Sequence, residues 1–428
     1  MNVNYSYVRS KKKRDLEERY ARIKRTEELS VEVYDEATIF PTKKFSTDSL
    51  LFGRGGVVDG KGDYIEDSSI PGRVHGRYEF DNVLKKDEEV VYCGYLVGHW
   101  GHFLIETVSR LWYILENKLE VDKYVFIVNS NSSTELKGNY KEFLELLGIT
   151  DKIEIINIPV QYKKVYIPER AYKYQQSYSV HYKKIFDTAI RKAMENHKES
   201  PCYEKVFLSR SRFKKAQIAE AGLDMLDNYF ERNGYRIVHP ETISLTELIY
   251  LLQNARECAA ESGTTPHNIL FGKDGQDLTI VERQTIVNPV QTDIDLIRNL
   301  NVTYIDGHYT VYPVSQGYGP YILAYNNQFR KFTNDKKYVE PDQHYVGTSY
   351  IRKCVKQYMR EYKKEYYYSW GLEDWAIRYA DSIYEAYNES MVVLGEYLHG
   401  RTIFNASQIF ESRFIKSFIK QVIRRVKP

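Results

Sequence analysis

Long apolar runs are missing from this chain: no stretch approaches the roughly 18 uninterrupted apolar residues of a membrane-crossing helix. The amino terminus also lacks the apolar centre of a secretory leader. It carries Arg9, Lys11, Lys12, Lys13 and Arg14, and continues into the charged segment DLEERYARIKR. Cysteine is scarce, and Cys93, Cys202, Cys258 and Cys354 stand apart with no CxxC pair. That spacing argues against a disulfide framework or a thiolate zinc site and suits reduced thiols. A large excess of either charge is missing too. A net charge of +3 argues against a general nucleic-acid binder, whose surface is strongly basic. The expected place of work is the cytoplasm, where the chain is made.

What is present is enough apolar material, 43%, for ordinary globular cores, in a chain too long for one. Tyrosine is abundant, 39 residues. Carbohydrate sites use aromatic faces, although compositional habit accounts for much of the excess. Four segments are expected. Residues 1–30 read as a charged, exposed helix or loosely held arm, and 31–198 as an α/β domain that starts with hairpins. Within it, residues 101–117 (GHFLIETVSRLWYILEN) take helical period, with Phe103, Leu104, Val108, Leu111, Trp112 and Leu115 on one face. Residues 199–306 alternate strand and helix regularly: YEKVFLS, YRIVHP, ECAAES and DLTIVE are strands with helices between them. That alternation predicts a doubly wound parallel sheet. Gly234 suits a left-handed helix end, and Ser244 with Glu247 has the spacing of a capping box. Residues 307–428 form a Tyr-rich, then helical, extension.

Four clusters carry candidate chemistry. Ser262, Gly263, Thr264, His267 and Asn268 lie between strand ECAA and an apolar helix. Small residues there let a phosphate approach unpaired N–H groups, with Pro266 suited to the first turn; without a ligand the same run is a tight turn. Arg210 and Arg212 follow strand VFLS, where a guanidinium fork meets a diphosphate; alone, such a loop is solvated surface. Glu282 ends strand LTIVE and suits a ribose hydroxyl, though a lone strand-end Glu is unremarkable. His102 and Glu106 share a helical face, in an order unlike a zinc protease motif. They read as a general base with its partner, or as a buried His held by a Glu. Asp293-Ile-Asp295 has the spacing of a metal-binding DxD triplet, but helical apolar spacing explains it.

At these residues the chain resembles glycosyltransferase family 61, in its bacterial capsule and surface-polysaccharide branch. The matching motifs are GHFLIETVSRLWYIL (101–115), VFLSRSR (206–212), GYRIVHPETISLTELIYLLQNA (234–255) and SGTTPHNILF (262–271). They fall in the family's order across about residues 35–290. The resemblance implies two Rossmann-like domains facing a cleft (the GT-B arrangement), inverting sugar transfer and no required metal or other cofactor, the nucleotide-sugar being a substrate. It places the donor against Arg210, Gly263, His267, Asn268 and Glu282, and His102 and Glu106 toward the acceptor. Many relatives carry a His-Gly-Ala-Gly run where this chain has Ser262–Thr265, which leaves open the side chain that contacts the diphosphate. A non-catalytic nucleotide-binding scaffold, and a pyruvyl or phospho-sugar transferase of similar build, are the alternative readings.

The last residues, RFIKSFIKQVIRRVKP, place Phe414, Ile415, Phe418 and Ile419 among Lys420, Arg424 and Arg425 with no acid between. That composition suits a helix lying on anionic lipid, or one docked on the protein's own core. The first option fits a peripheral enzyme at the inner membrane face with a lipid-linked glycan acceptor.

Overall fold

The computed structural model describes residues 1–43, 54–69, 76, 78–80, 82–117, 120–196, 201–308 and 321–342. The carboxy-terminal extension beyond 342, including the basic helix expected at 413–428, lies outside the described residues.

The alternation read between 199 and 306 folds as expected into parallel strands. Their spatial order is Arg236–Val238, Lys205–Leu208, Glu257–Glu261, Asp277–Glu282, Asn301–Asp306. Chain order reverses between Lys205–Leu208 and Glu257–Glu261, which are paired in parallel with Leu208 opposite Ala260. In such a sheet the crevice beyond the strand carboxyl ends, at that reversal, is where ligands bind. The strand Asn301–Asp306 was not anticipated. It is paired with Asp277–Glu282, with Glu282 opposite Asp306.

The amino terminus forms the expected charged helix, most of it exposed, but it is not a loosely held arm. Asn2–Tyr7 joins the far edge of this sheet as a sixth strand, parallel to Asn301–Asp306. The helix Ser10–Arg22 follows and buries Lys12 and Leu16. Lys12 Nζ lies 2.8 Å from Asp306 Oδ1 and 3.1 Å from Glu282 Oε2, and donates to the Gln284 carbonyl at 2.5 Å. Burial works against the ammonium, but the two carboxylates outweigh it and raise its pKa. The charge run that looked solvated therefore contains a buried counter-ion. Periodicity does not reveal this, because the partners lie about 270 to 294 residues away.

The first half builds a mixed sheet. Leu84–Tyr95, Lys123–Ile127, Ile153–Ile156 and Val160–Pro168 run parallel, while Val31–Asp35, Thr38–Lys43 and Arg54–Val58 pair antiparallel. The helix expected over 101–117 is broken into Trp100–Ile105, a 3-10 turn Thr107–Arg110 and Trp112–Glu116. Thr107 causes the break: its hydroxyl donates to the Tyr95 carbonyl and accepts from Val97 N–H, tying the chain back to the sheet. One buried cluster joins both sheets, from Val91 and Phe126 through Phe103, Phe143 and Phe186 to Phe271, Val206 and Ile280. Phe143, Phe186 and Phe271 pack with ring centroids 5.5–5.9 Å apart. Each such pair adds about 0.5–1.5 kcal/mol beyond burial of area. The chain is an α/β protein whose two large sheets share a core.

Replacing Lys12 by Met should lower stability by about 3–5 kcal/mol, because two buried carboxylates lose their cation. Scanning calorimetry checks this; an unchanged melting temperature would show that the ion cluster does not hold the amino terminus.

Candidate functional site

The mixed sheet presents His102 through a short helix that starts just beyond Leu84–Tyr95. His102 Nδ1 lies 2.9 Å from Glu106 Oε1. A carboxylate only accepts, so Nδ1 carries the proton and Nε2 keeps its lone pair. The His102 side chain is 37% exposed, so that lone pair is within reach of a substrate hydroxyl. His99 lies beside it, ring centroids 5.0 Å apart. Burial lowers the His99 pKa, and so do His102, Lys215 and Arg210. His99 therefore stands within the electrostatic reach of both halves of the chain.

The parallel sheet meets this helix at the 262–268 loop. Gly101 packs on Thr264 so closely that a Cβ would strike its Cγ2 and lie 3.2 Å from His267 Nδ1. Trp100 Nε1 donates to Asn268 Oδ1 at 2.8 Å, and Asn268 Nδ2 donates to the Thr265 carbonyl. Asn268 is thus committed to joining the halves. The helix expected after the loop is a 3-10 helix, Thr265–Phe271, fully buried. His267 has a definite tautomer. Asn288 Oδ1 accepts from Val290 N–H, which turns its amide nitrogen toward the Gly263 carbonyl at 3.0 Å and His267 Nε2 at 3.1 Å. His267 Nε2 accepts, so Nδ1 bears the proton; no protein group pairs with that buried atom among the described residues. Burial, then His102 and His99, depress the His267 pKa to about 3, so the ring is neutral.

At the strand reversal stands a charge cluster that the sequence showed only in part. Arg210 Nη2 donates to Glu220 Oε1 at 2.9 Å, and its Nε is 2.8 Å from Glu261 Oε1. Arg283 Nη1 donates to Glu220 Oε1 at 2.5 Å and its guanidinium lies 4.1 Å from the Tyr321 ring centroid. Burial and the neighbouring Glu220 push the Glu261 pKa well up. Burial opposes ionisation of Glu220 too, but Arg283 and Arg210 outweigh it and pull its pKa down. Two guanidinium groups therefore converge on Glu220 at the sheet edge, with Glu261 disfavoured as an anion beside them. Gly263, at φ 137°, has backbone space only for hydrogen, since a Cβ would lie 2.8 Å from Arg283 Nη2. Ser262 Oγ accepts from Arg283 N–H at 3.1 Å.

Of the residues expected to bind a donor, Arg210, Ser262, Gly263, Thr264 and His267 converge here. Arg212 is exposed beyond them. Glu282 is buried and turned to Lys12, with its pKa raised by burial against the pull of that ammonium. Asp293 and Asp295 lie in the helix Pro289–Ile297 and accept from Tyr172, Gln175, Tyr20, Tyr304 and Gln291. Missed from sequence were Trp100, Glu220, Glu261, Arg283 and Asn288. Arg283 follows a candidate strand-end acid directly, and that adjacency was the one available signal.

Residues 100–280 match the family model described as Glycosyltransferase 61. Among curated proteins none matches the chain.

Gly101→Ala should cost about 1–3 kcal/mol of stability by overpacking the junction. Adding Thr264→Ser, which removes the struck methyl, should recover most of that loss in a thermal melt. Equal stability of wild type and Gly101→Ala would refute the close approach.

Proposed function

Because residues 100–280 form a glycosyltransferase family 61 domain and the chain is a glycosyltransferase, we propose that it transfers a sugar with inversion from a nucleotide-sugar to a glycan acceptor. The two sheets are the two lobes of a GT-B arrangement in this reading. The observation that carries it is the dyad of His102 with Glu106, opened toward the acceptor by the tautomer that Glu106 imposes.

In the proposed step His102 Nε2 takes the proton of an acceptor hydroxyl as its oxygen attacks the anomeric carbon. The bond from that carbon to the donor diphosphate breaks, and its electron pair leaves on the phosphate oxygen. Arg210 and Arg283, with the His267 Nδ1–H, offset the charge that develops there. Those guanidinium groups meet the leaving group without a resident metal.

The acceptor we propose is a lipid-linked glycan of capsule or surface-polysaccharide assembly, reached from the cytoplasmic face of a bacterial membrane. The basic, apolar pattern of residues 413–428 supports that placement.

His102→Gln should reduce kcat by about 10²–10⁴-fold in a transfer assay over a panel of UDP-, GDP- and CMP-sugars, with donor KM little changed. Arg210→Ala should raise donor KM and lower kcat together. Wild-type turnover in both would overturn the assignments. Deleting residues 410–428 should shift the protein from the membrane to the soluble fraction; unchanged fractionation would remove the lipid-surface proposal.

A further inference from the structure

Arg210, Arg283 and Arg298 each reach a carboxylate at the carboxyl edge or flank of the parallel sheet. Arg110 and Arg170, on the other side of the cleft, do not. Arg110 is 3% exposed and donates to the carbonyls of Pro168 and Asp67. Arg170 reaches the Ser69 carbonyl at 3.5 Å, the outer limit of a hydrogen bond. Among the described residues neither guanidinium forms an ion pair. Arg110 is buried and Arg170 half-buried, and the Arg110 guanidinium also lies 5.7 Å from the Tyr92 ring centroid. Two neighbouring cations with carboxylates only at a distance are an arrangement that a bound anion would stabilise.

Their position ties them to the proposed base. Val160–Pro168 and Leu84–Tyr95 run parallel, with Tyr166 opposite Val91. The chain leaving the first strand carries Arg170, and the chain leaving the second carries His102 and Glu106. Ala171 N–H donates to the Ser109 carbonyl and Tyr172 N–H to Ser109 Oγ, which clamps Arg170 beside the turn that follows Glu106. Burial and then Arg110 lower the Arg170 pKa to about 10, against the opposing pull of Asp67, Tyr92 and Glu106. Glu106 Oε2 is itself buried and unbonded.

We propose that Arg170, backed by Arg110, is an anion subsite on the acceptor side: it binds a carboxylate or phosphate of an acidic acceptor beside the hydroxyl that His102 deprotonates. This inference rests on the transferase reading. It makes the acceptor acidic, and it assigns positional selectivity to the distance between that acid and the reacting hydroxyl. Glu106 stays on His102, so the incoming acid, rather than Glu106, neutralises Arg170.

The test uses the full chain and calorimetric titration. A glucuronate-terminated disaccharide, its glucose-terminated isostere and a short-chain prenyl phosphate are the probes. One of the two acids should bind at least tenfold more tightly than the neutral isostere; the uronate identifies a sugar acid and the prenyl phosphate a lipid phosphate. Arg170→Gln should abolish that preference and Arg170→Lys should restore part of it, with thermal melts confirming that both variants fold. Equal binding of acidic and neutral probes to the wild type, or a preference that survives Arg170→Gln, would overturn the subsite. Failure of every nucleotide-sugar to bind the wild type would instead overturn the transferase reading, whatever the acids do.

Discussion

Gly101 rests directly on Thr264 and His267, with Trp100 hydrogen-bonded to Asn268 beside it. The Gly101 backbone is brought against the Thr264 and His267 side chains, an approach that only a residue without a Cβ permits. His102 is the next residue on one side, and the 262–268 loop leads to Arg210 and Arg283 on the other. The distance between the proposed base and the positive cluster is therefore set by one glycine contact and the aromatic core behind it. Phe103, Phe143, Phe186 and Phe271 hold that contact from below, so the two sheets behave as parts of one packed body.

Charge is distributed unevenly around that contact. At the sheet reversal Arg210 and Arg283 converge on Glu220 and pull its pKa down, while burial and Glu220 push the Glu261 pKa up. At the far edge Lys12 balances Glu282 and Asp306, which turns an amino-terminal charge run into part of the sheet. Beside the mixed sheet Arg110 and Arg170 donate to carbonyls, with the Tyr92 ring against Arg110, and neither forms an ion pair among the described residues. Nearly neutral overall composition thus conceals arginines gathered in both halves of the chain.

Much of the second half was legible from residue order. Regular strand–helix alternation, Gly234 and the Ser244–Glu247 cap all describe interactions within about ten residues, so they are written locally; Ser244 does accept from Glu247 N–H. Arg210 and the 262–268 loop were legible for the same reason, since strand ends in a parallel sheet share an edge. Apart from the strand Asn301–Asp306 and the 3-10 turn at Thr265–Phe271, the failures were long-range. Lys12 looked solvated because its acids lie far along the chain. The helix at 101–117 looked continuous because Thr107's bond to Tyr95 leaves no trace in hydrophobic period. Glu282 looked free because nothing near it in sequence announces an ammonium.

Local sequence by itself determined the strand–helix rhythm of 199–306, the candidate edge where Arg210 and Gly263 meet, and the four-residue spacing of His102 and Glu106. Propensity and periodicity act over a few residues, and those features need no more. Tertiary structure decided which atoms are available. It set the tautomers of His102 and His267 through Glu106 and Asn288, committed Asn268 to Trp100 and Glu282 to Lys12, and left Arg170 without an ion pair among the described residues. Protonation and pairing depend on burial and on partners brought together from distant segments, and only the packed chain supplies those.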